Sequence, residues 1–369
     1  MKILHICSTY NDRPLYRLLF NELSKLGVDN IIYVPRWTKQ DVADNVYIVN
    51  KKFSKIGKLL YWGEQRYILK DIENRIDLKS IDLVHVHRVL YGGYVALKLK
   101  EKYNIPYVVA VRNSDLYGFG RNIRIFKSHF NRIVANAYRI VFLSKTYLEK
   151  TAKNYICETN AKSFNDKSEV IPNGINRFFL DNTIFPDTHS LPDGKNINII
   201  SVAEIDHNKN VKTLIKACQL LLFQGYNVKL NLYGRIVNNS VYKKAVSYEF
   251  VVYHGIKPKE ELLLHLRGSD IFVMPSIHES FGLVYAEAMT QGVPVVYSRG
   301  QGFDGQYKEG EVGYSVDCFD AQEIADRMID ILNDYRNISN QCIENSKRYS
   351  WEKIAKRYKE IYDQSLLIT

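Results

Sequence analysis

Short apolar runs alternate with longer stretches of helical periodicity over residues 1–175, the pattern of a parallel sheet wound on both faces. Residues 2–7 read as the first strand. Pro14 opens a helix to about Lys25, Gly27 ends it, and residues 31–34 form the second strand. Residues 81–87, 106–111 and 140–144 are further strands. A polar, turn-rich stretch at 185–195, with Pro186, Pro192 and Gly194, reads as a linker. Beyond it the alternation restarts with strands at 197–202 and 228–233. An amphipathic helix is expected over 321–333, and a last one over 351–364 with Trp351, Ile354, Tyr358 and Ile361 on one side. The expectation is two α/β domains, residues 1–180 and 181–350, each a Rossmann-like doubly wound sheet.

The most informative stretch is 270–296. An apolar strand at 271–274 is closed by Pro275-Ser276, and Ile277-His278-Glu279-Ser280 makes a turn. A helix is expected from Phe281 to Thr290, stopped by Gly292-Val293-Pro294 ahead of Val295-Val296. Ser280 is read as its N-cap, leaving the amides of Phe281, Gly282 and Leu283 to receive an anion such as a diphosphate, with Gly282 permitting close approach. Glu279 and Glu287 lie eight residues apart, about 12 Å along a continuous helix. Glu287 sits among Leu283, Val284, Ala286 and Ala288, where an unpaired carboxylate is costly and a hydroxyl-rich ligand would supply donors. A solvated helix edge is the alternative reading of the same spacing.

The string Pro275 to Leu283, then Glu287-Ala288-Met289 and Gly292 to Val296, resembles the Glu-x7-Glu signature of retaining GT-B glycosyltransferases, and within them the glycogen-synthase-like family 4. The resemblance implies two domains facing a central cleft, the final helix (351–369) crossing back to complete the first domain. It implies that Glu279 contacts the transferred sugar and Glu287 the ribose hydroxyls. Lys209 matches the cation that grips the donor diphosphate, and Asn173-Gly174 the turn that closes the first domain. Ile256 falls where backbone holds the base, and Gly302 on a glycine-rich loop facing the donor. His87 falls at a cleft position.

Departures from the family pattern are informative. The first strand-to-helix turn is Asn11-Asp12-Arg13-Pro14 without the usual glycine pair, which nominates Arg13 or Arg17 for the acceptor. A donor-touching His is replaced by Arg112, with Asn113 and Asp115 beside it on the acceptor side. The usual Arg before Lys209 is Glu204, so Arg235, the diphosphate being held by Lys209 and amides alone, or lost activity are the alternatives. His85 and His87 are read as facing opposite sides of their strand, which argues against a metal pair.

Composition adds bounds. In 369 residues, 46% are hydrophobic and 25% charged, a globular balance for two ordinary domains. No apolar run reaches the length of a membrane span, and no secretory signal is evident. Five scattered cysteines point to reduced thiols in a cytoplasmic setting. The net charge of +11 is uneven: residues 1–176 hold 29 Lys and Arg against 16 Asp and Glu, the remainder 22 against 24. A basic first half, with mixed basic and aromatic stretches at 53–78 and 121–132, suits an anionic acceptor or an anionic membrane surface, the inner face of the cell membrane being one such place. Ordinary helices with basic outer faces are the other reading. No nucleic-acid motif accompanies the charge.

The expected partners are therefore a nucleotide-sugar donor, a UDP-sugar first, and a glycan or lipid-linked acceptor in cell-surface polysaccharide assembly. No resident cofactor and no metal is expected. Two rivals stay open: an inactive sugar-nucleotide binder, flagged by Glu204 and Arg112, and a dinucleotide-dependent oxidoreductase using Gly300-x-Gly302-x-x-Gly305. For the latter the required long helix is not foreseen, because Gly310 and Gly313 interrupt the chain.

Overall fold

The computed structural model describes residues 1–11, 14–35, 45–49, 61–117, 120–188, 192 and 194–367. Two compact units account for the chain: Met1–Asn173 with Trp351–Thr369, and Gly174–Ser350.

In the first unit, seven strands form one parallel sheet. They are β1 (Lys2–Ile6), β2 (Asp29–Val34), β3 (Val46–Ile48), β4 (Leu83–Val86), β5 (Tyr107–Val111), β6 (Arg139–Phe142) and β7 (Ser168–Val170). Their spatial order is β3-β2-β1-β4-β5-β6-β7. Both faces are covered, so the central strands are largely apolar; all five residues of β5, Tyr-Val-Val-Ala-Val, are buried. Period-two alternation sorts them: Leu4, Val84 and Val109 pack into one core layer, Ile3, Leu83 and Val108 into the other. Between the strands run α1 (Pro14–Lys25), α2 (Tyr61–Arg75), α3 (Val89–Tyr103), α4 (Asn113–Tyr117), α5 (Gly120–Asn136), α6 (Lys145–Tyr155) and α7 (Glu158–Lys167).

The second unit opens with α8 (Arg177–Asp181). Its six parallel strands are β8 (Asn196–Val202), β9 (Asn227–Tyr233), β10 (Val251–Tyr253), β11 (Ile271–Met274), β12 (Val295–Ser298) and β13 (Gly313–Val316), in the order β10-β9-β8-β11-β12-β13. The helices are α9 (Val211–Phe223), α10 (Asn239–Ala245), α11 (Lys259–Arg267), α12 (Leu283–Met289), α13 (Ala321–Asn333) and α14 (Tyr335–Ser346). The division between units falls at Asn173/Gly174, ahead of the 185–195 stretch, because the intervening segment hydrogen-bonds to the second unit. Ile175 N–H donates to Tyr349 O, and Ile184 N–H to Thr290 O.

The last helix, α15 (Trp351–Leu366), belongs to the first unit. Its stripe of Trp351, Ile354, Tyr358, Ile361 and Tyr362 is buried in the layer that holds Tyr16, Leu19 and Leu23 of α1. Among the described residues, no helix is long and apolar enough to cross a membrane.

Each sheet has one place where strand order reverses, between β1 and β4 in the first unit and between β8 and β11 in the second. The loops leaving the carboxyl ends of those strands diverge, and ligands of open parallel sheets bind in the opening. The candidate residues are to be judged by whether they sit on those loops.

Ile361 is fully enclosed. Ile361→Ala should therefore cost about 2–5 kcal/mol, read as a fall in the urea midpoint at unchanged m-value.

Candidate functional site

In the second unit, β8 is followed by the loop carrying Glu204 and Lys209, and β11 by the turn carrying Glu279. Both loops leave the switch point, and Asn208 ties them together. Its carbonyl accepts from Ile277 N–H at 2.8 Å and its Oδ1 from His278 N–H at 3.0 Å. Its Nδ2–H donates to His278 O at 2.9 Å. This clamp brings Lys209 Nζ to 2.6 Å from Glu279 Oε2, with side chains 19% and 13% exposed. Glu279 Oε1 accepts from Ser280 N–H at 3.0 Å, and Glu279 N–H donates to Gln301 Oε1 at 3.1 Å.

The helix after this turn begins later than the composition suggests. Leu283 is its first residue, and Gly282 is the N-cap in the left-handed region at φ 79°. Ser280 is exposed and does not cap it. Serine favours extended backbone at a cap, whereas this junction takes the positive φ that glycine adopts freely. Glu279 and Glu287 are consequently not two turns apart on one helix. The first-turn amides of Leu283 and Val284 have no intrahelical acceptor, and the Phe281 ring packs edge-on against Phe303 and Tyr349. Phe281 anchors the turn, so only its backbone is available to a ligand.

Gly302 has a steric reason to be glycine. Its N–H donates to Glu279 O at 3.0 Å, and a Cβ there would lie 1.9 Å from Ser280 O. The Gly300–Gly305 loop is thus a bracket for the Glu279 turn. Strand β13 follows it with no intervening helix, unlike a dinucleotide fingerprint.

Glu287 lies on the first turns of α12, partly buried. Among the described residues its carboxylate has no hydrogen-bond or ionic partner, and burial pushes its pKa up from 4.5 to about 7. Arg235 is not a spare cation for a diphosphate. It pairs with Glu204 at 2.5 Å, both side chains largely exposed, so the two charges offset each other. Lys209 remains as the cation on this edge that faces Glu279. Ile256 follows β10 and is 72% exposed, leaving its backbone accessible.

In the first unit the switch point carries His87 and Arg88 after β4, and Arg112 after β5. His85 and His87 share a face, contrary to the expectation, because strand residues two apart project the same way; their rings stack at 4.0 Å. His5 joins them, so three ring nitrogens lie within 4.8 Å of one another, close enough for a metal ion. Hydrogen bonds already order all three rings, His85 Nδ1 meeting the Tyr362 hydroxyl at 2.6 Å. Asn30 directs its amide hydrogens to Phe20 O, Val28 O and Ser24 Oγ, so its Oδ1 accepts from His5 Nε2–H at 2.8 Å. Burial drives the His5 pKa down to about 3, so the ring is neutral and its Nδ1 accepts from His87 Nε2–H at 3.1 Å. The chain of donors leaves a bare lone pair on His87 Nδ1, which is buried and has no partner among the described residues.

Arg112 is 8% exposed and donates through Nε to His87 O at 3.2 Å, while Nη1 has no partner. Asp115 is fully buried: it accepts from Arg112 N–H at 3.0 Å and stands 3.8 Å from Arg88 Nε. Burial raises its pKa, so Asp115 holds the β5–α4 junction rather than facing solvent. Asn113 is the first residue of α4, and Asn173 ends the first unit's main segment. Arg13, residues 53–60 and the side chains of 121–125 lie outside the described residues. Asn208, Gln301, His5 and Asn30 were not singled out from sequence; strand parity and their position beside the switch points are the signals that would have found them.

Comparison with known proteins agrees with this architecture. Residues 16–177 match the family described as Glycosyltransferase Family 4, and residues 183–349 the family described as Glycosyl transferases group 1. An uncharacterized glycosyltransferase of Methanocaldococcus jannaschii is 25% identical over 298 residues, covering 79% of this chain and 78% of the relative. A 41.2 kDa protein in the cps region of Klebsiella pneumoniae is 24% identical, covering 98% and 99%. Among solved structures, sucrose-phosphate synthase of Thermosynechococcus elongatus superposes with a TM-score of 0.74 at 18% identity, over all of both chains. Anabaena HepE, in complex with UDP and glucose, superposes with a TM-score of 0.64 at 16% identity, over 98% of each. These likenesses show the two-domain GT-B fold.

The raised pKa of Glu287 has a testable sign. Between pH 4.5 and 7 the unfolded chain releases this proton while the native protein keeps it, so stability falls as pH rises, and the penalty is complete above 7. Glu287→Gln should stabilise the ligand-free protein at pH 8 by up to about 3 kcal/mol, shrinking towards zero near pH 5. Urea titrations at the two pH values check this; a pH-independent difference would contradict it.

Proposed function

We propose that this chain, a glycosyltransferase by its matches over residues 16–177 and 183–349, transfers a sugar from a UDP-sugar with retention at the anomeric carbon. The observation that carries the donor reading is the carboxylate of Glu287, partly buried and, among the described residues, without a partner beside the second unit's switch point. A buried carboxylate without donors is costly unless a ligand supplies them. The vicinal hydroxyls of a ribose are two donors suited to one carboxylate.

Lys209 and Glu279 complete the reading. In the ligand-free protein each neutralises the other. An arriving diphosphate outcompetes the carboxylate for Lys209, and Glu279 is released to accept from hydroxyls of the sugar. As the bond to the anomeric carbon breaks, negative charge grows on the departing phosphate. Lys209 and the amides around Gly282 and Leu283 oppose that charge where it develops. These groups supply the positive charge, so the proposed chemistry uses no metal ion and no resident cofactor. The leaving phosphate, on which negative charge grows, takes the acceptor's proton.

A UDP-bound neighbour of the same fold supports uridine as the first donor base to try. On the first unit, His87 Nδ1 can accept from a hydroxyl and Arg112 Nη1 can donate to an oxygen. The acceptor we propose is a glycan or lipid-linked saccharide in cell-surface polysaccharide assembly, taken at the cytoplasmic face of the membrane. The relative in the cps region and the basic first half both favour that setting.

A live enzyme should slowly release UDP from a UDP-sugar without acceptor. Glu279→Ala and Lys209→Ala should each reduce that release by about 100-fold or more. Equal release by wild type and Glu279→Ala would overturn the assignment, and a product anomer opposite to the donor's, read by NMR coupling, would exclude retention.

A further inference from the structure

A cavity in the same unit is lined by none of the groups just described. It is a groove of about 300 Å³ between α9 and α10. Its floor is apolar, made by Val211, Ile215, Val241, Ala245 and Tyr248. Lys212, Lys216 and Lys244 line it, with His207 and Ser240. Among the described residues none of the three lysines has a carboxylate partner, and no acidic side chain lines the groove. Elsewhere on this protein's surface some lysines are paired at helical spacing, as in Lys257–Glu261, Lys347–Glu344 and Lys359–Asp363. Three unpaired cations around one concavity repel one another, a cost that an anion removes.

The start of α9 adds to the positive potential. Asn210 occupies the N-cap position at φ 54°, but its side chain does not cap the helix. It donates to Cys318 O and accepts from Thr213 Oγ1 instead. The first-turn amides of Val211 and Lys212, both groove residues, are thereby left open at the positive end of a 13-residue helix.

We propose that this groove binds a soluble organic phosphate, a phosphomonoester on a ring-sized body. The phosphate would lie among the three lysines and His207, with the ring on the Ile215–Tyr248 floor. The dimensions support a small ligand: about 300 Å³ is at the lower end for ligand sites and suits a sugar phosphate or a nucleoside monophosphate. None of Lys209, Glu279 and Glu287 lines it, so the site is separate from the proposed donor site. His207 and Lys209 share the β8–α9 loop, whose turn is held by Lys209 N–H donating to Asp206 Oδ1 at 2.8 Å. The two sites are thus neighbours on one loop without sharing residues.

Calorimetry on the full chain tests this with glucose 6-phosphate, AMP, inorganic phosphate and phosphatidic-acid vesicles as probes, each with UDP present at saturation. At least one organic monoester should bind with one-to-one stoichiometry and more tightly than inorganic phosphate. Lys212→Gln/Lys216→Gln/Lys244→Gln should weaken it at least about tenfold, as loss of charge-assisted contacts requires. Glu279→Ala should bind it unchanged, which separates this proposal from the donor-site reading. Absence of binding by every soluble monoester, binding insensitive to the triple substitution, equal affinity for inorganic phosphate, or binding to the vesicles alone would each overturn it.

Discussion

The ion pair between Lys209 and Glu279 is the interaction on which the second unit's site depends. Two charges with little solvent access are taken from water at a cost that a single contact only partly recovers. The protein meets that cost with backbone: Glu279 receives Ser280 N–H, its own N–H is held by Gln301, and Asn208 locks the turn to the neighbouring loop. The pair is therefore preorganised, and it is also exchangeable. A ligand with a stronger anion than a carboxylate can take Lys209 and leave Glu279 in place. A pair poised in this way keeps its two charges balanced, and in the proposed reading it opens to a donor that needs both.

Glu287 shows the other side of the same economy. Among the described residues no side chain or amide satisfies it, and burial raises its pKa to about 7. Proteins keep such groups where function uses them and compensate elsewhere. Compensation here lies close by: Tyr285, the residue two before it, is fully buried and donates to Met274 O at 2.6 Å, fastening α12 to the end of β11. The helix is short, and its position is set by this tyrosine and by the aromatic packing of Phe281, not by a serine cap.

Much of this was legible in the sequence. Alternating apolar runs and helical stretches announced parallel sheets, since buried parallel strands are largely apolar on both faces, and the string around Glu279 and Glu287 falls on the loop and helix that follow β11 at the second unit's switch point. What composition could not show was which residue would accept a positive φ. Phe281 suits a helix as well as a turn, and only the packing of its ring against Phe303 and Tyr349 decides for the turn. Pairing was equally hidden. Glu204 looked like a charge reversal against a phosphate, yet Arg235, 31 residues on, follows the neighbouring strand and answers it. Adjacent parallel strands place their following loops side by side, so the partner of an odd charge after β8 is best sought after β9.

The histidines of the first unit carry the argument one step further. Parity alone puts His85 and His87 on one face, and the neighbouring register of β1 and β4 pairs His5 directly with His85. Three imidazoles in that space would repel if charged, and Arg112 adds a fixed cation beside them. Burial and mutual repulsion hold the pKa values of His85 and His87 well below the usual range. The cluster is neutral, and neutrality is what turns it into a directional relay: each ring can both donate and accept only while it carries one proton. Asn30, by fixing which nitrogen of His5 holds hydrogen, determines two rings away that His87 offers a lone pair to whatever reaches it. A charged cluster would have offered only donors.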